Sequence, residues 1–313
     1  MEGLAAMRLI ADVGGTNTRM ALAEGGAVQV DSLRNFRNAE HGSFDEVMRQ
    51  FLDTAGVPVD EIVVAVAGPV GPGHARLTNH DWDFDAAAMR DRFGASHAAL
   101  VNDLKALGHA LPALDDDGLI PVAHTGAGRN RGTQSLVAGI GTGFNVSPVL
   151  WTAPGVAQCL RSEHGHLTLP EDIRTALDAR VGPAADEFTT IESCFSGAGL
   201  GKVLTAMTGL PADRPETLVA RDDPKVQAAL QFYAGLIGRL ARNLKLAFMP
   251  DAGLFFAGSV ARAILTSPAK EAFLETFDAP IPLEFDLVTP VWIIKDDSAA
   301  LKGCAQLDAA QEE

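Results

Sequence analysis

The side chains best suited to chemistry in this sequence gather beside glycine-rich turns. Asp12 closes the apolar run Leu9-Ile10-Ala11. Gly14-Gly15-Thr16-Asn17 and Arg19 follow it, before a second apolar run, Met20-Ala21-Leu22. Two short apolar runs around a Gly-Gly turn predict a β-hairpin. The glycines let such a turn take positive φ and leave its amides uncovered, so a phosphate can sit against the backbone. Asp12 could hold a cation there. The same residues also suit an ordinary tight hairpin. A second glycine run, Gly139-Ile140-Gly141-Thr142-Gly143, stands between the apolar segments Gln134 to Ile140 and Val146 to Trp151. Asp103 follows Asn102 at the end of Ala98 to Val101, a place that suits either a working acid or a helix cap. Glu163, His164 and His166 form a polar cluster whose residue types also suit zinc. Glu192 lies a few residues before Ser196-Gly197-Ala198-Gly199. Ser196 to Val203 falls short of a P-loop, because Ser196 stands in place of the first Gly and Val203 in place of the magnesium-binding hydroxyl.

These residues need elements to carry them. After the first hairpin, Val28 to Leu33 predicts a third strand. Ser43 to Ala55 predicts a helix, capped by Ser43 with Glu46 at capping-box spacing, burying Phe44, Val47, Met48, Phe51 and Leu52, and ended by Gly56. Glu61 to Ala67 is a continuous apolar run, the mark of a strand covered on both faces. A helix is expected from about Asp85 to Phe93, then the strand Ala98 to Val101 and a helix over Leu104 to Leu111. Pro112 to Gly118, with three consecutive Asp, marks a hinge. Beyond it come the second glycine hairpin, a long helix over Val226 to Phe248 with Gly235 and Gly238 for close packing, and a strand over Asp251 to Ala257 ending at Gly258. A strand over Val288 to Ile294 and a helix over Ser298 to Leu307 close the chain. The repeated hairpin hints at a duplicated architecture.

Composition narrows the function. The 313 residues suit two domains, and 47% hydrophobic with 21% charged residues is globular. Lys and Arg number 25 against 40 Asp and Glu, a formal charge of −15. That balance argues against nucleic acid or an anionic membrane as the main partner. An anionic ligand must therefore be held locally, by backbone amides and a few cations. Cys159, Cys194 and Cys304 are odd in number and far apart, so no disulfide framework or Cys-rich zinc site is expected. The start of the chain reads without a long apolar segment, and no run reaches membrane-spanning length, so a cytoplasmic protein is expected.

Taken together, the motifs resemble the actin/hexokinase/Hsp70 ATPase superfamily and, within it, the bacterial-type glucokinase family. DVGGTNTR at 12–19 and GIGTGFN at 139–145 are similar to the two phosphate motifs, and AGSVAR at 257–262 to the adenosine motif. VNDLKA at 101–106 and SAALKGCA at 298–305 resemble the two connecting segments. LTNHDWDF at 77–84 is close to the TNHxWxF signature. SEHGHLTL at 162–169 and ESCFSGAGL at 192–200 resemble the sugar-binding stretches.

The resemblance implies an α/β, two-domain actin-like ATPase (ribonuclease H-like) fold with an interdomain cleft. Residues 1–112 plus 301–313 would form the small domain and 113–300 the large one. It implies phosphorylation of glucose at the 6-hydroxyl by ATP; a kinase for another hexose, or a catalytically weak sugar-binding regulator, are the alternatives. ATP and Mg2+ are the expected cofactors, and a homodimer is plausible. Asp103 would be the base. Asn102, Asp103, Glu163, His166 and Glu192 would bind the sugar. Asp12, Gly14, Gly15, Thr16, Asn17, Gly141, Thr142, Gly143 and Gly258 would bind the nucleotide, with Asp12 holding Mg2+ through water. Asn79, His80 and Trp82 would be structural or close to the sugar. The chain departs from the family pattern at Phe144 and Asn145, where GTGLG is usual, at Ser259, where Gly is usual, and at His164, where a small residue is usual. It lacks the Cys-rich zinc motif of the related ROK kinases.

Overall fold

Apolar alternation and glycine punctuation sort the chain into two α/β units. The computed structural model describes residues 6–77, 80–127, 132–211, 219, 221–281 and 287–312. One unit comprises Met1–Asp115 with Asp296–Glu313, the other Asp116–Lys295.

The first unit is built on a five-stranded sheet, in the order β3-β2-β1-β4-β7. Its strands are β1 (Arg8–Val13), β2 (Asn17–Glu24), β3 (Ala27–Arg37), β4 (Glu61–Val66) and β7 (His97–Asn102); β5 (His74–Arg76) and β6 (Asp83–Asp85) pair separately. The opening hairpin forms with Asp12 opposite Arg19, and β1, β4 and β7 run parallel. In β4, Ile62 to Val66 are all buried, as a strand between two parallel neighbours must be. Helix α1 (Phe44–Ala55) starts where Ser43 Oγ accepts from the Glu46 amide and stops at Gly56, whose φ of 67° needs no side chain. Glu46 does not complete the expected capping box; its carboxylate accepts from the Gly42 amide instead. Helices α2 (Ala86–Phe93) and α3 (Asp103–Ala110) follow β6 and β7. The C-terminal helix, Ala299–Gln306, packs so tightly on α3 that a Cβ at Gly303 would lie 1.7 Å from the Ala106 carbonyl.

The second unit repeats this plan. Its sheet runs β11-β10-β9-β12-β13-β8. The strands are β8 (Leu119–Ala123), β9 (Gln134–Ile140), β10 (Phe144–Ala153), β11 (Val156–Cys159), β12 (Gly253–Ala257) and β13 (Val291–Ile294). An antiparallel meander, β9-β10-β11, again precedes strands parallel to its first member, β12 and β13. The duplication expected from the glycine hairpins is therefore present in the topology. Helices α4 (Glu171–Val181), α5 (Ile191–Cys194), α6 (Gly197–Thr208), α7 (Pro224–Phe248), α8 (Ser259–Leu265) and α9 (Lys270–Phe277) cover the sheet. In α7, Gly238 lets α9 come close: a Cβ there would meet Thr276 Oγ1 at 2.0 Å. Tyr233, fully buried on α7, donates to the Cys194 carbonyl at 3.0 Å. Among the described residues, no helix is long and apolar enough to cross a membrane.

Candidate active site

In the first unit the chemistry collects at the carboxyl ends of β1 and β7. The parallel register places Asp12 level with Ala65 of β4, and Ala65 level with Val101 of β7. Asn102 and Asp103 therefore emerge at the edge that carries Asp12, where loops of an α/β sheet bind ligands. The helix cap falls to Asn102, whose Oδ1 accepts from the Leu104 amide at 3.0 Å while Nδ2 donates to the Gly68 carbonyl. Asp103 is the first residue of α3, and its Oδ1 accepts from the same Leu104 amide at 2.9 Å. Burial pushes the Asp103 carboxyl up to about 6, and the charge of Asp12 adds to this. Hydrogen bonds from the Leu104 and Asp103 amides and from Asn102 oppose the rise. The shift makes Asp103 a far better base near neutrality than an ordinary carboxylate.

Asp12 is also held above its ordinary value by burial, against the pull of the Arg19 guanidinium 3.3 Å away. Two desolvated carboxyls with one arginine near them are a set of hard oxygen donors whose charge a divalent cation would offset. The turn beside Asp12 closes through the Gly14 amide, which donates to the Asn17 carbonyl at 3.0 Å. Gly14 and Gly15 do not take the positive φ expected of them; that conformation belongs to Gly25 and Gly26 at the next turn. What the first pair contributes is bare backbone. Gly15 and Thr16 are exposed, Gly14 and Asn17 are half-buried, and Asn17 opens β2.

In the second unit three glycine junctions meet. The Gly197 amide donates to the Gly141 carbonyl at 2.7 Å. Gly258, with φ of 93°, approaches the Ile140 carbonyl so closely that a Cβ would stand 2.3 Å away. The turn through Gly141, Thr142 and Gly143, the start of α6 and the start of α8 are thereby joined. They open onto a cavity of about 970 Å³. Ala198, Gly201, Lys202, Thr205 and Gly209 line it from α6 and its C-cap, Ser259 and Ala263 from α8, and Glu187 from the segment before α5. Lys202 pairs with Glu187 at 3.1 Å.

Sequence reasoning singled out Ser259, which lines this cavity, but missed the α6 wall. The legible signal was the small or polar residues at 198, 201, 205 and 209, one face of a helix.

Beside this turn lies a polar cluster. The Phe144 amide donates to Glu192 Oε2 at 2.9 Å. A Cβ on Gly143 would meet the same oxygen at 2.4 Å, and one on Gly165 would meet the Phe144 carbonyl at 2.1 Å. Bare backbone at both positions lets the turn, the 163–166 segment and Glu192 share one point. Glu163 and His166 lie 4.0 Å apart and largely exposed. His164 instead turns its ring to Phe248, 5.4 Å between centroids, and burial lowers its pKa. The His-x-His pair therefore does not converge, and among the described residues no three His, Cys, Asp or Glu gather as a metal needs. Phe144 sends its ring into the core beside Phe195. In the first unit Trp82 is a core residue against Phe44, and His80 packs on it. Asn79, with Thr78, lies outside the described residues.

A sequence model of the glucokinase family matches residues 9–311. The chain belongs to the glucokinase family. It is similar to a glucokinase of Cupriavidus pinatubonensis, 30% identical over 96% of this chain and 91% of that protein. The crystal structure of a glucokinase from an Antarctic psychrotroph superposes with a TM-score of 0.79 at 26% identity, covering 96% of this chain and 98% of that one. A ROK-family glucokinase from Streptomyces griseus, solved with glucose and AMPPNP, shares the fold at a TM-score of 0.62 and 16% identity, covering 97% of this chain and 99% of that one. The two α/β units are those of the actin-like ATPase fold.

Proposed function

We propose that Asp103 accepts the proton of the glucose 6-hydroxyl as that oxygen attacks the γ-phosphorus of ATP, giving glucose 6-phosphate and ADP. The observation that carries this role is a desolvated carboxyl at the carboxyl end of β7, with a pKa raised to about 6. Phosphoryl transfer has a loose transition state, so positioning and electrostatics do most of the work and the proton leaves late. Asp103 orients the hydroxyl as well as accepting its proton.

Glucose is a neutral polyol, recognised by donors and acceptors at each hydroxyl. Asn102, Asp103, Glu163, His166 and Glu192 take this part. A wrong epimer leaves such groups unpaired, which is how a site of this kind discriminates. The cavity at Gly141 and Thr142 takes the nucleotide, with its phosphates on the turns and Gly258, and its nucleoside along α6 and Ser259. The Gly14–Asn17 turn supplies backbone donors to the phosphates.

The donor set of Asp12 and Asp103 fits a hard cation, and Mg2+, held by Asp12 through water, completes the reading. When bound it supplies neutralisation of phosphate charge. A cytoplasmic location and a homodimer belong to the same proposal.

The test is ADP release from ATP over a panel of hexoses. Glucose is expected to give the highest kcat/KM, and Asp103→Asn to lose turnover while still binding glucose by calorimetry. Preference for another sugar overturns the substrate; normal turnover in the variant overturns the base.

A further inference from the structure

Asn145 stands just past the phosphate turn, and its carboxamide grips three successive residues of the sugar segment. Nδ2 donates to the Ser162 carbonyl at 2.6 Å and to Glu163 Oε2 at 3.2 Å, while Oδ1 accepts from the His164 amide at 2.9 Å. The same oxygen accepts from the Val146 amide at 2.8 Å. We propose that Asn145 is a positioning residue that sets Glu163 for the sugar and ties its loop to the phosphate turn. The inference rests on the reading of Glu163 as a sugar-binding acid.

The residue type follows from the task. Glu163 is a long side chain, 68% exposed, and it loses rotamer freedom when it binds a hydroxyl. Holding it beforehand reduces that cost. A lysine would neutralise the acid and compete with the sugar. An amide directs one oxygen and leaves the other lone pairs to the ligand. Glycine, usual at this position in the family pattern, makes none of these bonds. The preceding residue does the equivalent for the other acid, since the Phe144 amide binds Glu192. Consecutive residues at the end of one phosphate turn thus hold both acids.

The experiment uses the full chain with Asn145→Ala and Asn145→Asp. Steady-state rates are measured against glucose and ATP, with melting temperature alongside. Loss of the carboxamide in Asn145→Ala, and with it the three hydrogen bonds to Ser162, Glu163 and His164, is expected to raise KM for glucose about 5- to 10-fold. kcat and KM for ATP should stay within about 2-fold, because the bonds removed do not touch the nucleotide or Asp103. Asn145→Asp keeps the acceptor for His164 but sets a carboxylate against Glu163. Its KM for glucose should rise further, and about 0.5 M salt should relieve the excess over Asn145→Ala.

The inference is overturned if wild type phosphorylates glucose and both variants keep its KM within about 2-fold. Equal losses in both substrates with a lowered melting temperature also overturn it, because they assign Asn145 to folding alone. Wild type inactive on every hexose defeats the functional reading instead. Amide exchange at His164 then decides the tether: faster exchange in Asn145→Ala supports it, and unchanged exchange removes it.

Discussion

Replacing Asp103 with Asn should stabilise this protein while destroying its catalysis. The carboxyl moves from an ordinary value of 3.8 to about 6 on folding. At about 1.4 kcal/mol per pH unit, a rise of roughly two is worth about 3 kcal/mol. Asp103 keeps partial solvent exposure, so about 1–2 kcal/mol is the working expectation after screening. The sign follows from proton linkage. The native state binds this proton more tightly than the unfolded chain, so the contribution of Asp103 to stability is greatest below the unfolded value. It is lost as pH rises through about 6. At pH 7.5 wild type carries a desolvated charge that the amide lacks.

The substitution removes charge and keeps shape. Asp103→Asn should therefore melt about 2–5 °C higher than wild type at pH 7.5. The gap should shrink as the buffer is lowered from pH 7 to pH 5. Differential scanning fluorimetry without nucleotide measures both, since a bound cation would itself stabilise the acid. Turnover should fall at least about 100-fold, the usual scale for a lost general base. In wild type, kcat/KM should lose activity as pH falls through about 6, because the free enzyme's base is then protonated. A variant that melts lower at pH 7.5, or a difference that ignores pH, would refute the claim that Asp103 is a desolvated acid.

Other substitutions test the second unit. Gly165→Ala forces a Cβ to 2.1 Å from the Phe144 carbonyl, so it should cost about 1–3 kcal/mol by overpacking and raise KM for glucose, read by denaturant melts and rates. Lys202→Met removes a cation from the cavity wall; its partner Glu187 and Lys202 itself are both about half exposed, so stability should change by less than about 1 kcal/mol. KM for ATP should rise with KM for glucose unchanged, and the reverse pattern would move the nucleotide elsewhere. Tyr233→Phe loses the buried bond to Cys194 and should cost about 1–2 kcal/mol with KM values intact.

Much of this site was legible because each motif combines a strand end with a glycine turn, and both are local. The hairpin at Asp12 to Arg19, the strand that delivers Asn102 and Asp103, and the repeat at Gly141 to Gly143 all follow from apolar alternation and punctuation. What glycine does at each turn was not local. Gly14 and Gly15 were expected both to take positive φ and to leave their amides uncovered, yet neither takes positive φ, and the Gly14 amide is bonded to the Asn17 carbonyl. Gly143 and Gly165 matter because Glu192 and Phe144 arrive from distant segments. Phe144 and Asn145 show the same limit from the other side. As sequence they read only as departures from the family's GTGLG pattern. In the fold the ring of Phe144 leaves for the core, and Asn145 reaches 17 to 19 residues ahead to hold Ser162, Glu163 and His164. Periodicity reports which face of an element is buried, but not which loop a side chain will meet. The departures from a family pattern are therefore where structure adds most, and at Asn145 the departure is itself a set of bonds.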